Sequence, residues 1–471
     1  MARAVSVAER RWTIGRTGVA LFTLLSSIAI VSAIAVGCGI VYHRIAHSEW
    51  GNIQGFASIG ALLGVLYAEP WSRLAETDVH TIAQQRASVR EILWRWAKAF
   101  MWFGLAAFLL KFTNDLSRGW VLVLFGVGYP ALIASERANQ ALVRAAISAG
   151  RVDARRVLLV GPLARERLAH LSDQIVAGSA VRIIGAIETP SEGGDLPVQL
   201  AHVIATARTT GATDIVLLCD WSENAFIDAA STAFSILPAT LRIELVGHPS
   251  RFAGIKADVL GPLRTVVVAN PPLGHVDTTV KRTFDVTVAL LALVALMPVF
   301  AVIAMMIKLD STGPVFFRQR RVGYNQREFR IWKFRSMTTL DDGDRIVQAK
   351  RGDARITKVG AWLRRYNIDE LPQLINVLNG EMSLVGPRPH AVAHDKAFGA
   401  RIVDYPRRLN VKPGITGWAQ IKGFRGETDT DEKMLGRVEH DLYYVDNWSL
   451  ALDIWIIAMT VASAKTYQNA Y

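Results

Sequence analysis

The sequence predicts a membrane protein in three parts. These are a four-span α-helical N-terminal bundle, an α/β middle domain with a Rossmann-like parallel sheet, and a mainly α C-terminal domain led by a re-entrant membrane helix. Three observations carry this. Four apolar segments fall between about residues 18 and 134. Strand-like and helix-like runs then alternate over 154–270, the pattern of a parallel α/β domain. Finally, the 22 residues 286–307 hold no charge and have basic residues on both sides.

The whole chain fits that division. It has 471 residues, 51% hydrophobic and 20% charged, with a net charge of +12. Part of it belongs in lipid and much of it in water. The positive balance suits nucleic acid, an anionic membrane surface or a phosphorylated substrate; the apolar runs favour the last two and set nucleic acid aside. Two cysteines, Cys38 and Cys219, build neither a disulfide framework nor a zinc site.

The first 150 residues are read as the span region, with both ends cytoplasmic. The segments are about 18–42, 52–69, 96–112 and 119–134. The first is long enough to cross; the rest are short against the roughly 20 residues required and pair as two helical hairpins. Basic residues mark three cytoplasmic regions: the N-terminal tail (Arg3, Arg10, Arg11, Arg16), the loop with Arg73, Arg86 and Arg90, edged by Arg95 and Lys98, and the segment with Arg137, Arg144, Arg151, Arg155 and Arg156. Residues 74–94 are polar, an interfacial helix or a loop.

Residues 151–275 form the α/β domain. Its strands are expected at "RRVLLVG" (155–161), "VRIIGAIE" (181–188), "TDIVLLCD" (213–220) and "LRIELVGH" (241–248), with helices near 164–177 and 197–209. The turn after the first strand reads "GPLARERL". One glycine and a proline do not provide the close backbone approach of a dinucleotide site. A nucleotide-type fold without cofactor is expected.

Residues 276–310 carry the odd segment. Lys281 and Arg282 precede it, and Arg318, Arg320 and Arg321 follow. A spanning helix would separate these flanks; one that bends at Pro298 keeps both on the cytoplasmic side. Residues 311–471 are then a cytoplasmic domain. Its apolar stretch 448–464 carries Asp453, so it is read as a helix lying in the interface or packed on the domain, not a fifth span.

Chemistry concentrates at "IDELPQL" (368–374). On a helix, adjacent residues point about 100° apart, so Asp369 and Glu370 would not share one proton. They read as two roles: one a nucleophile, the other a metal ligand or base. An aspartate can attack phosphorus, and phosphate oxygens need cations. Arg364, Arg388, Lys333 and Arg335 are candidates. Prolines flank Arg388 in "GPRP" (386–389), and arginine grips phosphate bidentately. A carboxylate with phosphate oxygens is a hard-ligand site for Mg²⁺.

Taken together, "KRTFDVTVAL" (281–290), "STGPVFFRQRRVG" (311–323), "FRIWKFRSM" (329–337), the run 353–390 ending in "GPRPH", "VKPGITGWAQIKG" (411–423) and "HDLYYVDNWSLALDIWII" (440–457) resemble the bacterial sugar transferase family of monotopic phosphoglycosyl transferases. The resemblance covers roughly 276–471; the parts ahead of it are similar to the large, multi-domain subgroup. It implies transfer of a hexose-1-phosphate from a UDP-sugar (glucose or galactose) to undecaprenyl phosphate, with release of UMP, at the start of exopolysaccharide, O-antigen or capsule synthesis. It further implies Asp369 as nucleophile, Glu370 with Asp369 as Mg²⁺ ligands, and Lys333, Arg335, Arg364, Arg388 and Gln373 around the substrates. The location implied is the bacterial inner membrane, with membrane lipids as partners; the α/β domain or the bundle could form a homodimer contact, which the resemblance does not decide. The family's kink usually has serine before the proline; here Met297 stands there. A nucleotide-sugar hydrolase and an inactive assembly scaffold are the competing readings.

Overall fold

The computed structural model describes residues 14–69, 88–109, 111, 117–172, 181–190, 195–220, 222–244, 258–260, 263–338, 353–390, 392–399, 401–402, 404–424 and 431–462. The expected interfacial segment 74–94, with Arg73 and Arg86, lies largely outside them. The chain forms two compact units, taken in turn.

The first unit, Met1–Val157 with Arg165–Ala186 and Gly254–Thr265, is built on four apolar helices. These are α1 (Arg16–Ala46), α2 (Ile53–Ala68), α3 (Val89–Leu109) and α4 (Arg118–Ser148). By length and composition α1, α3 and α4 can cross a membrane, while α2 is a shorter apolar helix of 16 residues. Phe56, Leu63, Tyr67, Trp96, Trp120, Leu124 and Leu132 make one core. The last helix runs well past the expected end at 134, because Asn139, Gln140 and Val143 keep its buried stripe going. Arg137 and Arg144 therefore sit on this helix, not in a loop beyond it. The two cations at the edge of the basic loop are paired: Arg95 reaches Glu136 at 3.4 Å and Lys98 reaches Glu69 at 2.7 Å.

The α/β sheet has six strands in the order β2-β1-β3-β4-β6-β5. They are β1 (Arg155–Val160), β2 (Val181–Ile187), β3 (Asp214–Leu217), β4 (Thr240–Glu244), β5 (Asp258–Leu260) and β6 (Leu263–Ala269). Helices α5 (Ala164–Ser172), α6 (Leu196–Thr210) and α7 (Asn224–Phe234) alternate with the first four. The four expected strands are present, and β3 and β4 pair in parallel. The sheet is mixed, however, since β5 and β6 form an antiparallel pair at its edge. Arg242 sits inside an apolar strand because Asp214 meets it at 2.9 Å. Gly161, in the turn after β1, has φ +140°, and a Cβ there would lie 2.3 Å from the Leu218 carbonyl oxygen. That glycine answers a backbone contact inside the fold.

The second unit, Leu158–Ala164 with Ile187–Ala253 and Val266–Tyr471, contains α8 (His275–Asp310), 36 residues with Pro298 inside and about 54 Å long. Its inward positions recur at helical spacing: Lys281, Asp285, Ala289, Leu293, Leu296, Phe300, Ile303 and Ile307. Ala289, Leu293 and Leu296 pack with Leu374, Val377, Leu384 and Ile456. Farther along, Phe300, Ile303 and Ile307 pack with Phe334 and Leu363. The other face exposes Leu290, Leu291, Val294, Met297, Val302 and Met305. The helix thus lies along the C-terminal domain nearly from end to end. Its first basic flank is structural: Arg282 donates to the Leu378 carbonyl at 2.7 Å, and Lys281 is buried against Asp453 at 2.6 Å.

After α8 come the antiparallel pair β7 (Phe316–Val322) and β8 (Glu328–Phe334), then α9 (Lys358–Arg365), a single 3₁₀ turn (Ile368–Glu370) and α10 (Gln373–Asn379). Strands β9 (Ser383–Val385) and β10 (Gly414–Thr416) pair in parallel. Around them lie α11 (Val392–Gly399), a 3₁₀ segment (Tyr405–Asn410), α12 (Trp418–Ile421), α13 (Asp431–Asp446) and α14 (Leu450–Ala462). The packed alternative for the last helix is the one observed. Fully buried Asp453 takes Lys281, Tyr444 Oη at 2.7 Å and Trp448 Nε1 at 3.2 Å.

Candidate active site

Three elements converge on the acidic pair. Asn367, left-handed at φ 56°, turns the chain out of α9 into the 3₁₀ turn that carries Asp369 and Glu370. Pro372 then starts α10. Asn376 ties that helix to β8: its Oδ1 accepts from the Trp332 N–H at 2.9 Å and its Nδ2 donates to the Arg330 carbonyl at 2.8 Å. This register brings Lys333 to the pair.

The two carboxylates are both buried but differ in their partners. Glu370 accepts Arg388 bidentately, at 2.9 Å on Oε2 and 2.6 Å on Oε1, and Lys333 Nζ at 2.8 Å on Oε1. Among the described residues no hydrogen-bond donor reaches the Asp369 side chain. Burial raises the Asp369 carboxyl above the ordinary carboxylate range, with Lys333 opposing and Glu370 adding to the shift. Burial likewise lowers the Lys333 ammonium, which Glu370 opposes. Glu370 raises the Arg388 guanidinium above its ordinary value, outweighing burial, which lowers it.

Of the other expected residues, Arg364 is half-buried, acts electrostatically on Asp369 and points NH1 at Met337 Sδ, 3.6 Å away. Gln373 is buried one turn on, its Nε2 without a partner. Arg335 is not brought to the cluster. It folds back to the end of α8, donating to the Ser311 carbonyl at 2.6 Å and Ser311 Oγ at 2.8 Å.

The segment 386–390 is pinned in place. Gly386 N–H donates to Thr416 O at 2.9 Å, and Gly414 N–H donates to Pro387 O at 3.0 Å. The chains cross so closely that a Cβ on Gly414 would lie 2.1 Å from the Gly386 nitrogen. Arg408 donates to Arg388 O at 2.8 Å. His390 is buried among Tyr405, Arg408 and Arg437, and burial, then those arginines, holds its imidazole well below its ordinary value. Arg408, His390 and Asn376 went unremarked in the sequence; only His390, directly after "GPRP", had a local cue.

A buried carboxylate beside cations held in a fixed fork, on a domain bound to an apolar helix, is an arrangement suited to phosphate chemistry beside a membrane. The match of residues 276–466 to the bacterial sugar transferase family covers this whole site, and residues 78–244 match a family described as CoA-binding domain. The UDP-glucose:undecaprenyl-phosphate glucose-1-phosphate transferase of Escherichia coli (strain K12) is 37% identical over 322 residues, 67% of this chain and 69% of that protein. The enzyme of the same name from Xanthomonas campestris pv. campestris is 36% identical over 388 residues, 79% of each chain. An Aeromonas hydrophila UDP-N-acetylgalactosamine-undecaprenyl-phosphate N-acetylgalactosaminephosphotransferase is 43% identical over 188 residues, 40% of this chain and 44% of that one. The chain belongs to the bacterial sugar transferase family.

Proposed function

We propose that the chain transfers a hexose-1-phosphate from a UDP-sugar to undecaprenyl phosphate, with glucose the favoured hexose because the Escherichia coli and Xanthomonas campestris relatives, matched over 69% and 79% of their length, are named for UDP-glucose. The observation that carries the mechanism is the unequal pairing of the two carboxylates. Asp369 has lone pairs free for attack; Glu370 is committed to holding Arg388 and Lys333. In the first half-reaction an Asp369 oxygen attacks the phosphorus next to the sugar. The bond to the bridging oxygen breaks and UMP leaves, giving a sugar-phosphoryl aspartate. In the second, an oxygen of undecaprenyl phosphate attacks that phosphorus and frees the carboxylate. Arg388 and Lys333 offset charge on the phosphate oxygens.

Magnesium fits this donor set in kind, since carboxylate and diphosphate oxygens are hard ligands. Among the described residues no group of three or more His, Cys, Asp or Glu could hold a metal alone, so the ion would be shared with substrate. Asp369 and Glu370 would hold it, Glu370 only by exchanging its bonds to Arg388 and Lys333. Bound there, it would neutralise diphosphate charge. The contact of α8 with one domain along its length supports a helix that enters and leaves the inner membrane by its cytoplasmic face.

The test is mass spectrometry of the purified chain mixed with UDP-glucose and no acceptor. A hexose-phosphate adduct on the Asp369 peptide, absent in Asp369→Asn, is expected. Release of UMP with no adduct, or an adduct elsewhere, rejects the assignment.

A further inference from the structure

We infer that Arg408 is a positioning residue for the transfer reaction: its buried pair with Asp441 fixes the main chain at Arg388 and thereby aims the Arg388 fork. The inference rests on the proposed transfer. Arg408 is fully buried and donates twice to Asp441 Oδ2, from Nε at 3.1 Å and from NH2 at 2.7 Å. The same NH2 donates to Arg388 O, and NH1 reaches Tyr405 Oη at 3.3 Å and His390 Nδ1 at 3.2 Å. Tyr405 in turn donates to Asp395. Arg437 donates to His390 Nε2 at 3.2 Å and to the Phe424 carbonyl.

The main chain around Arg388 explains why such an anchor is needed. Pro387 and Pro389 have no N–H to donate, so this stretch is held through carbonyls. Pro387 O is held by a backbone N–H and Pro389 O by a long 3.5 Å bond from Arg321. Arg388 O is held by a fully buried, ion-paired side chain. Two opposite charges buried beneath a loop stabilise it little against an apolar filling. They do fix one geometry, and a misplacement of about 1 Å at a reacting group costs roughly a hundredfold in rate.

Two cycles test this on the full-length chain in detergent. Arg408→Lys keeps the charge and loses the fork. Per folded molecule, kcat should fall at least about tenfold with KM for the donor changed less than about threefold, and in an Arg388→Lys background the same change should cost less than about threefold. The second cycle needs no activity. Glu370 and Arg408 do not bond each other but both bond Arg388, so a coupling of their melting temperatures reports on Arg388. The drop in Tm from Arg408→Lys should shrink to less than about half in a Glu370→Gln background. Equal drops in both backgrounds, or an unchanged kcat per folded molecule, overturn the inference. Should Arg408→Lys not fold, Asp441→Asn enters the same cycles with the same two outcomes. If the chain transfers nothing, the function reading falls and the melting cycle still decides this one.

Discussion

Replacing Asp453 by Asn should cost the C-terminal domain about 3 kcal/mol of stability. The Lys281 ammonium spends its three N–H groups on Asp453 Oδ2 at 2.6 Å, Tyr444 Oη at 3.0 Å and Val385 O at 3.0 Å. Both ions are buried, Asp453 completely. Removing one partner of such a pair leaves an uncompensated charge and costs about 3–5 kcal/mol. Asp285 also acts electrostatically on this site, so the residual negative charge puts the loss at the lower end. Lys281→Met with Asp453→Leu removes both charges and should recover most of it. The assay is thermal unfolding of the purified chain, followed by protease resistance of the 276–466 region. A single-variant loss under about 1 kcal/mol, or a double variant no more stable than Asp453→Asn, would refute the reasoning. The pair also bears on function, because Val385 O immediately precedes the segment that mounts Arg388.

Arg388→Lys keeps the charge but not the fork, and should slow transfer about tenfold or more, about 1.4 kcal/mol; UMP release measures it. Asp369→Asn should be as stable as the parent below about pH 4 and more stable near neutrality. A carboxyl raised in the fold contributes stability below its unfolded value of about 3.9 and loses it as pH rises through the folded value; melting curves across pH test this. His390 is shifted the other way, so its contribution is present above about pH 6.5 and lost as pH falls from there. His390→Gln, whose neighbours Arg408, Arg437, Tyr405 and Asp395 stay in place, should flatten the loss of Tm below pH 6.5. Gln326→Cys, in a background without Cys38 and Cys219, should resist an impermeant thiol reagent added outside spheroplasts; labelling from outside would sink the re-entrant geometry.

The parts of the fold that were legible are those written in local periods. A run such as "RRVLLVG" buries Val157 to Val160 in a row, as a short apolar run bounded by a turn does in a strand covered on both faces. The antiparallel pair β5–β6 escaped because β5 is only three residues long and shows no period. The far end of α4 escaped because its buried stripe continues through polar Asn139 and Gln140. Charge counting leaves folding partners out. Lys281, Arg95 and Lys98 count as basic residues beside apolar segments, yet each also has a carboxylate partner distant in sequence, 172 positions away for Lys281. A charge tally along a chain cannot see a partner that only folding supplies.

The same limit explains what the sequence could say of the site. The expectation that Asp369 and Glu370 take separate roles rests on neighbouring side chains diverging on a helical turn, which depends on no long-range contact. Which of them is the free one depends on β8 and the proline-flanked loop, and those arrive from 37 and 18 positions away. Arg335 illustrates the converse. Two residues after Lys333 it is near the pair in sequence. But β8 ends at Phe334, so the alternation that would carry Arg335 to the same face stops. The side chain turns to the carbonyl of Ser311 at the end of α8. A strand's period places residues only while the strand lasts. A single residue past its end, the nearest unpaired carbonyls decide where an arginine goes.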